Sequence, residues 1–196
     1  MPRQRRTALV LTRRDQLDAL ASPVRVALLQ HLIAVGNASI ADLARALGRT
    51  PHSLYYHVHA LERAGVLVRA QKPGGGRSEA VYAAAARHIG FPYRPGSKAL
   101  YRAITRSASA VLRQTERTFH RAIRGGDVRN LERSADAMIK TRRSWLTPRG
   151  LARLRRLFGA IETLLESENH GLRGRLYLVT SVLAPIPEPV RKRRQP

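Results

Sequence analysis

Cysteine is absent from this chain of 196 residues. That one absence excludes disulfides, zinc–thiolate sites and cysteine nucleophiles together, and it fits a reducing compartment. Long apolar runs are missing as well. No stretch approaches the roughly 20 residues that a membrane helix needs. The N-terminal patch Ala8 to Leu11 is too short for the apolar region of a signal peptide. These gaps lead us to expect a soluble, cytoplasmic protein with no membrane partner. Aromatic residues make up only 5% of the chain, so a core must be built from Leu, Ala, Val and Ile. Acidic residues are also scarce, 13 against 36 Lys+Arg, and only four of the basic residues are lysine.

What is present is positive charge, +23 in total. Residues 1–90 contribute +8 and residues 91–196 contribute +15, so the charge is not confined to one tail. A chain this basic attracts nucleic acid, acidic proteins or anionic membrane. Arg-rich coding bias accounts equally well for any single arginine, but a polyanionic partner explains the total better. The 43% apolar content suffices for a core, and the length suits one large domain or two small ones.

Capping signals and periodicity then set out the elements. Thr12, with Asp15 three residues on, marks a helix start. Ser22-Pro23 starts another, with Val24, Leu28, Leu29, Leu32 and Ile33 on one face, ended by Gly36-Asn37. Ser39 caps "IADLARALG", where Asp42 completes the cap, Leu43 and Leu47 face inward, and Gly48 closes the helix. Thr50-Pro51 opens a third helix that ends at Gly65. Two short helices joined only by Gly48 and Arg49 form a tight helix-turn-helix. Val66 to Val68 and Val81-Tyr82 read as the strands of a β-hairpin whose tip holds Lys72 and Arg77. Two Gly and two Pro mark a boundary over residues 88–97.

The third helix carries the chemistry. "HSLYYHVH", His52 to His59, packs three histidines and two tyrosines into eight residues. At about 100° per residue, Leu54, Val58 and Leu61 share a core face, and His52, Tyr56, His59 and Arg63 form the opposed stripe, flanked by Ser53 and Tyr55. The stripe offers hydroxyls, imidazoles and flat rings, and no acid until Glu62. Such groups hydrogen-bond base edges and phosphates and pack on thymine methyls. His57 lies toward the core flank. A metal site fits poorly, because seven residues separate His52 from His59 by about 10 Å along the axis. A site shared with His31 or His120 stays open.

The stretch "LASPVRVALLQHLIAVGNASIADLARALGRTPHSLYYHVHALERAGVLVRAQKPGGGRSEAVYA" resembles the ArsR-type winged helix-turn-helix domain of bacterial transcription regulators. "LASPVRVALLQHL" is similar to that family's entry helix, "SIADLARALG" to its first helix-turn-helix helix, "TPHSLYYHVHALERAGVL" to its recognition helix, and "GGGRSEAVYA" to its wing and return strand. The resemblance covers residues 17–86. It implies double-stranded DNA as partner and a homodimer whose recognition helices read half-sites about one turn apart. Carried over, it sets Thr50, His52, Ser53, Tyr56 and His57 near the major groove or its phosphates, and Arg77 and Ser78 of the wing near the backbone or minor groove. The cysteine pair of the family's thiolate metal sensors is absent, so metal sensing does not carry over. His52, Tyr55 and Tyr56 replace the usual small polar residues, so the operator does not carry over either.

The second half reads as helical. From residue 97 to 124 a near-heptad stripe runs through Leu100, Ile104, Ala108, Val111, Thr115, Phe119 and Ala122. Leu131, Ala135, Met138 and Ile139 mark a helix ending by Trp145, a residue expected in a core. Thr147-Pro148 caps another, striped by Leu151, Leu154, Phe158, Ile161 and Leu165. "RLYLVTSVLAP" reads as a strand, and "RKRR" nearly ends the chain. "GGGR" sits in a hairpin rather than between strand and helix, which argues against a nucleotide site.

The expected fold is therefore mainly α with a small β-hairpin wing. A winged helix-turn-helix domain spans 12–87, a helical dimerisation or effector region with a terminal strand spans 97–184, and basic flexible tails occupy 1–11 and 185–196. The expected function is sequence-specific transcription regulation as a nucleoid-associated homodimer. The DNA-facing set is Arg49, Thr50, His52, Ser53, Tyr55, Tyr56, His57, His59, Arg63, Lys72, Arg77 and Ser78. No cofactor, metal or catalysis is expected, and a small-molecule effector of unknown chemistry is left open. The competing reading is an architectural or RNA-associated basic protein with little sequence preference.

Overall fold

Local capping chemistry sets the helix ends. The computed structural model describes residues 6–70, 80–90, 98–126, 128, 136–168 and 174–186. The first helix, α1 (Arg14–Ala19), starts two residues later than the Thr12 signal. Its N-cap is Arg13, whose N–H donates to Gln16 Oε1 at 3.3 Å, while Asp15 pairs with the Arg13 guanidinium instead of capping. Ser22 is the N-cap of α2 (Pro23–Val35) through its backbone only, its hydroxyl making no capping bond, and Pro23 occupies the first turn. In α3 (Ile40–Leu47) the reciprocal cap forms: Asp42 N–H donates to Ser39 Oγ at 3.2 Å, and Ser39 N–H donates to Asp42 Oδ2 at 3.4 Å. Gly48 then takes the left-handed conformation, φ 61°, that turns the chain toward α4 (Pro51–Arg63).

The core gathers on these helices. Leu17, Leu28, Leu32, Leu43, Leu54, Val58 and Leu61 are fully enclosed. Burying a leucine stabilises by about 1.5–3 kcal/mol, so the apolar faces of four helices converging on one cluster dominate the stability of this part. Arg25 binds the carbonyls of Ala19 and Asp18, the latter at 3.0 Å, and so clamps the junction of α1 and α2.

Two small sheets complete it. The first has the order β2 (Asn37–Ser39), β4 (Val81–Ala84), β3 (Leu67–Ala70), all antiparallel, with Val68 opposite Ala83 and Ala38 opposite Tyr82. The expected hairpin strands are thus present, and β2 adds a third. The second sheet pairs β1 (Arg6–Val10) with β5 (Ala86–Gly90) in parallel, Ala8 opposite His88. Two expectations change here. Residues 6–10 are expected in a flexible tail, and His88 to Gly90 in a linker. Both lie in strands, because each satisfies the other's backbone groups.

The long helix α5 (Lys98–Arg124) packs on α1 and α2. Its buried face is not the expected stripe through Leu100, Ile104, Ala108 and Val111 but Ala103, Ser107 and Ala110; Ala108 is exposed. Small residues let the helix approach closely, and Ser107 Oγ donates to the Leu17 carbonyl at 2.8 Å. Leu100 and Ile104 pack at the edge of the core.

The chain divides into two units, Met1–Lys140 and Thr141–Pro196. All elements so far lie in the first. The second contains α6 (Pro148–Glu168), where Gly150 N–H donates to the Thr147 hydroxyl at 3.1 Å, the cap expected from the sequence. Residues 136–145, expected to finish a helix, are not helical, and Trp145 is 94% exposed rather than in a core. The expected strand after Gly174 is also missing: residues 174–186 join neither sheet, and a strand needs a ladder partner. Leu131 and Ala135 lie outside the described residues. No helix among the described residues is long and apolar enough to cross a membrane.

Candidate nucleic-acid interface

Helix α4 owes its orientation to three residues. Leu54, Val58 and Leu61 are fully buried, which turns the opposite face outward. That face carries His52, Ser53, Tyr55, Tyr56, His59 and Arg63, all exposed, with Tyr55 at 49% and Tyr56 at 66%. Arg49 and Thr50 are exposed in the turn before it. The sequence therefore placed this stripe correctly. Lys72, Arg77 and Ser78 lie outside the described residues.

The N-terminus of α4 is suited to anions. Its first turn holds no acid, and the Thr50 hydroxyl, expected to cap, makes no capping bond. Ser53 Oγ donates to the Thr50 carbonyl at 2.7 Å, which keeps its oxygen free to accept. Helix N-termini carry a partial positive charge and outward N–H groups, so they favour phosphate.

Further along, the side chains brace one another. Tyr55 and His59 stack with ring centroids 6.4 Å apart, and Tyr56 meets His57 edge-on at 5.5 Å. His59 Nδ1 lies 3.2 Å from Glu62 Oε2, and Arg69 of β3 donates to Glu62 Oε1 at 2.9 Å. The Arg69 guanidinium thus offsets the charge of Glu62 beside the stripe. Arg69 escaped the sequence reading. Its only signal was its alternation with Val68 on a strand, and its tie to Glu62 is tertiary.

His57 differs from its neighbours. It is half-buried, and its Nδ1 has no hydrogen-bond partner among the described residues. Burial lowers its pKa below 6.5, and the Arg25 and Arg49 guanidiniums lower it further. Burial also lowers that of His31 on α2. Below about pH 6.5 the unfolded chain therefore binds protons that the folded chain refuses. The stability tied to these groups is fully present above that pH and is lost as pH falls toward the folded-state values. Thermal melts at constant ionic strength should show Tm falling below about pH 6.5, with a shallower fall in His57→Gln. An unchanged slope in that variant would remove His57 from the account.

No group of three or more His, Asp or Glu side chains among the described residues is placed to hold a metal ion. His120 of α5 is exposed, and His31 is half-buried.

No curated protein matches the chain. Residues 20–70 match a family model described as a helix-turn-helix domain. This span begins just before α2 and ends with β3, and it includes the whole exposed stripe of α4. The chain therefore carries a helix-turn-helix domain, the kind of domain found in DNA-binding regulators.

Proposed function

We propose that this chain is a sequence-specific, homodimeric transcription regulator of the ArsR-like winged helix-turn-helix type, acting on double-stranded DNA at the nucleoid rather than catalysing a reaction. The observation that carries the reading is the outward face of α4. It consists of imidazoles, hydroxyls and phenol rings and holds no free carboxylate, on a helix whose N-terminus favours phosphate. In this reading His52, Ser53 and Tyr56 meet base edges in the major groove, and Arg49 and Thr50 meet phosphates. The loop between β3 and β4 is the wing, through which Lys72, Arg77 and Ser78 reach the backbone.

The second copy is supported by α6. It is a helix of 21 residues with no buried residue, and Leu157, Ile161 and Leu164 are 56%, 40% and 57% exposed along one face. Isolated helices are marginal in water, so tertiary or quaternary packing has to supply their stability. Two copies facing each other would bury this stripe.

The charge of +23 favours a second reading, an architectural or RNA-associated protein with little sequence preference. Competition binding separates the two. Genomic fragments recovered with the protein should outcompete random duplex and RNA by about a thousandfold or more at physiological salt. A ratio near one would establish the second reading instead.

A further inference from the structure

The face of α5 that packs on α1 and α2 changes character along its length. Ala103, Ser107 and Ala110 are buried on it. At about 100° per residue, Gln114, Arg117 and Arg121 continue within about 40° of Ala110. There a small cleft of about 60 Å³ opens. Val24 of α2 and Leu47 of α3 form an apolar part of its lining. Its polar lining is Gln114, Arg117, Thr118 and Arg121 of α5 together with Arg49 from the helix-turn-helix turn.

Three arginines thus line one cleft, and no acidic residue lines it. None of the three forms an ion pair among the described residues. By contrast, Arg45, Arg69 and Arg106 are each paired, with Asp42, Glu62 and Asp18. Gln114 Nε2 donates to Thr118 Oγ1 at 3.2 Å, which leaves the Thr118 hydroxyl hydrogen to donate elsewhere. Like charges gathered in this way repel. Their forked N–H groups are matched by the oxygens of phosphate or carboxylate, which would relieve the repulsion and accept the hydrogen bonds. A cleft of about 60 Å³ has room for one small ionic group.

We propose that this cleft is a binding site for a small phosphate-class oxyanion, held by Arg49, Arg117 and Arg121 with Thr118 as a further donor. The bound ion links α5 to the turn that leads into α4. This site is filled in the chain free of DNA and does not depend on DNA as the partner of α4; Arg117 and Arg121 serving only as contacts to a DNA backbone is the rival explanation.

Calorimetric titration of the full chain with inorganic phosphate, against chloride at matched ionic strength, tests it. The expected result is saturable binding of one phosphate per chain, absent with chloride. It should weaken roughly tenfold or more in R117Q/R121Q, because charged hydrogen bonds are lost. If that variant misfolds, Arg49→Gln reads out the same site from outside α5 and should weaken phosphate binding likewise. Chloride-like behaviour of phosphate, or wild-type binding in the folded variants, overturns the proposal. So does a free protein that ignores phosphate while R117Q/R121Q flattens the salt dependence of duplex binding, since the arginines would then be DNA-backbone contacts.

Discussion

Tyr56→Ala is expected to lower affinity for the target duplex by about tenfold to a hundredfold while changing affinity for random duplex by less than about twofold. The asymmetry follows from where the side chain sits. Tyr56 is 66% exposed on the outward face of α4, so its loss opens no cavity and leaves the fold intact. Substitutions at such surface positions shift stability by less than about 0.5 kcal/mol. The phenol can hydrogen-bond a base edge or pack on a thymine methyl, contacts that differ between sequences. Non-specific affinity comes instead from phosphate neutralisation spread over many arginines, which this variant retains. Competition titrations with target and random duplex at one fixed salt concentration measure both terms. Equal losses on both duplexes would assign Tyr56 to general adhesion and not to readout.

A second large effect is expected from Leu157→Glu combined with Leu164→Glu. Sedimentation should show the wild-type chain as a dimer and the double variant as a monomer, with the dimer dissociation constant raised by about a hundredfold or more. Each leucine is more than half exposed on a helix with no fully buried residue, and each is worth about 1.5–3 kcal/mol when covered. A carboxylate at each position would have to be desolvated without a partner. Both positions lie in the second unit, whereas the buried core built on α1 to α5 lies in the first. Melting of that core should therefore be little changed. A wild-type chain that is monomeric at tens of micromolar, or a double variant that still pairs, would remove α6 from the interface.

Much of the helix-turn-helix could be read directly from residues. The reciprocal cap at Ser39 and Asp42, the glycine turn at Gly48 and the proline start at Pro51 are each local to about four residues, so a short window contains the whole cause of each. Once those ends are set, a period of 3.6 residues decides that Leu54, Val58 and Leu61 turn inward and His52, Tyr56 and His59 outward. The candidate site needed nothing further for its orientation, and most of its residues were legible for that reason. Lysine and arginine totals pointed to a polyanion without any geometry at all. Where the local signal was only suggestive, as in Thr12, Ser22 and Thr50, the side chain found no capping bond or the cap moved to Arg13.

Only tertiary structure decided the rest, because its causes lie far apart in the chain. Arg6–Val10 becomes a strand through Ala86–Gly90, about eighty residues away, and nothing in either segment names the other. Ala103, Ser107 and Ala110 are buried because a close approach to α1 and α2 favours small side chains, whereas periodicity alone pointed to the stripe through Leu100, Ile104 and Ala108. The same proximity joins Arg49 to Arg117 and Arg121 around one cleft. Trp145 and the segment after Gly174 show the converse. Apolar, strand-forming residues state a preference for burial and pairing, but the preference is realised only where the fold supplies a surface or a ladder to meet it.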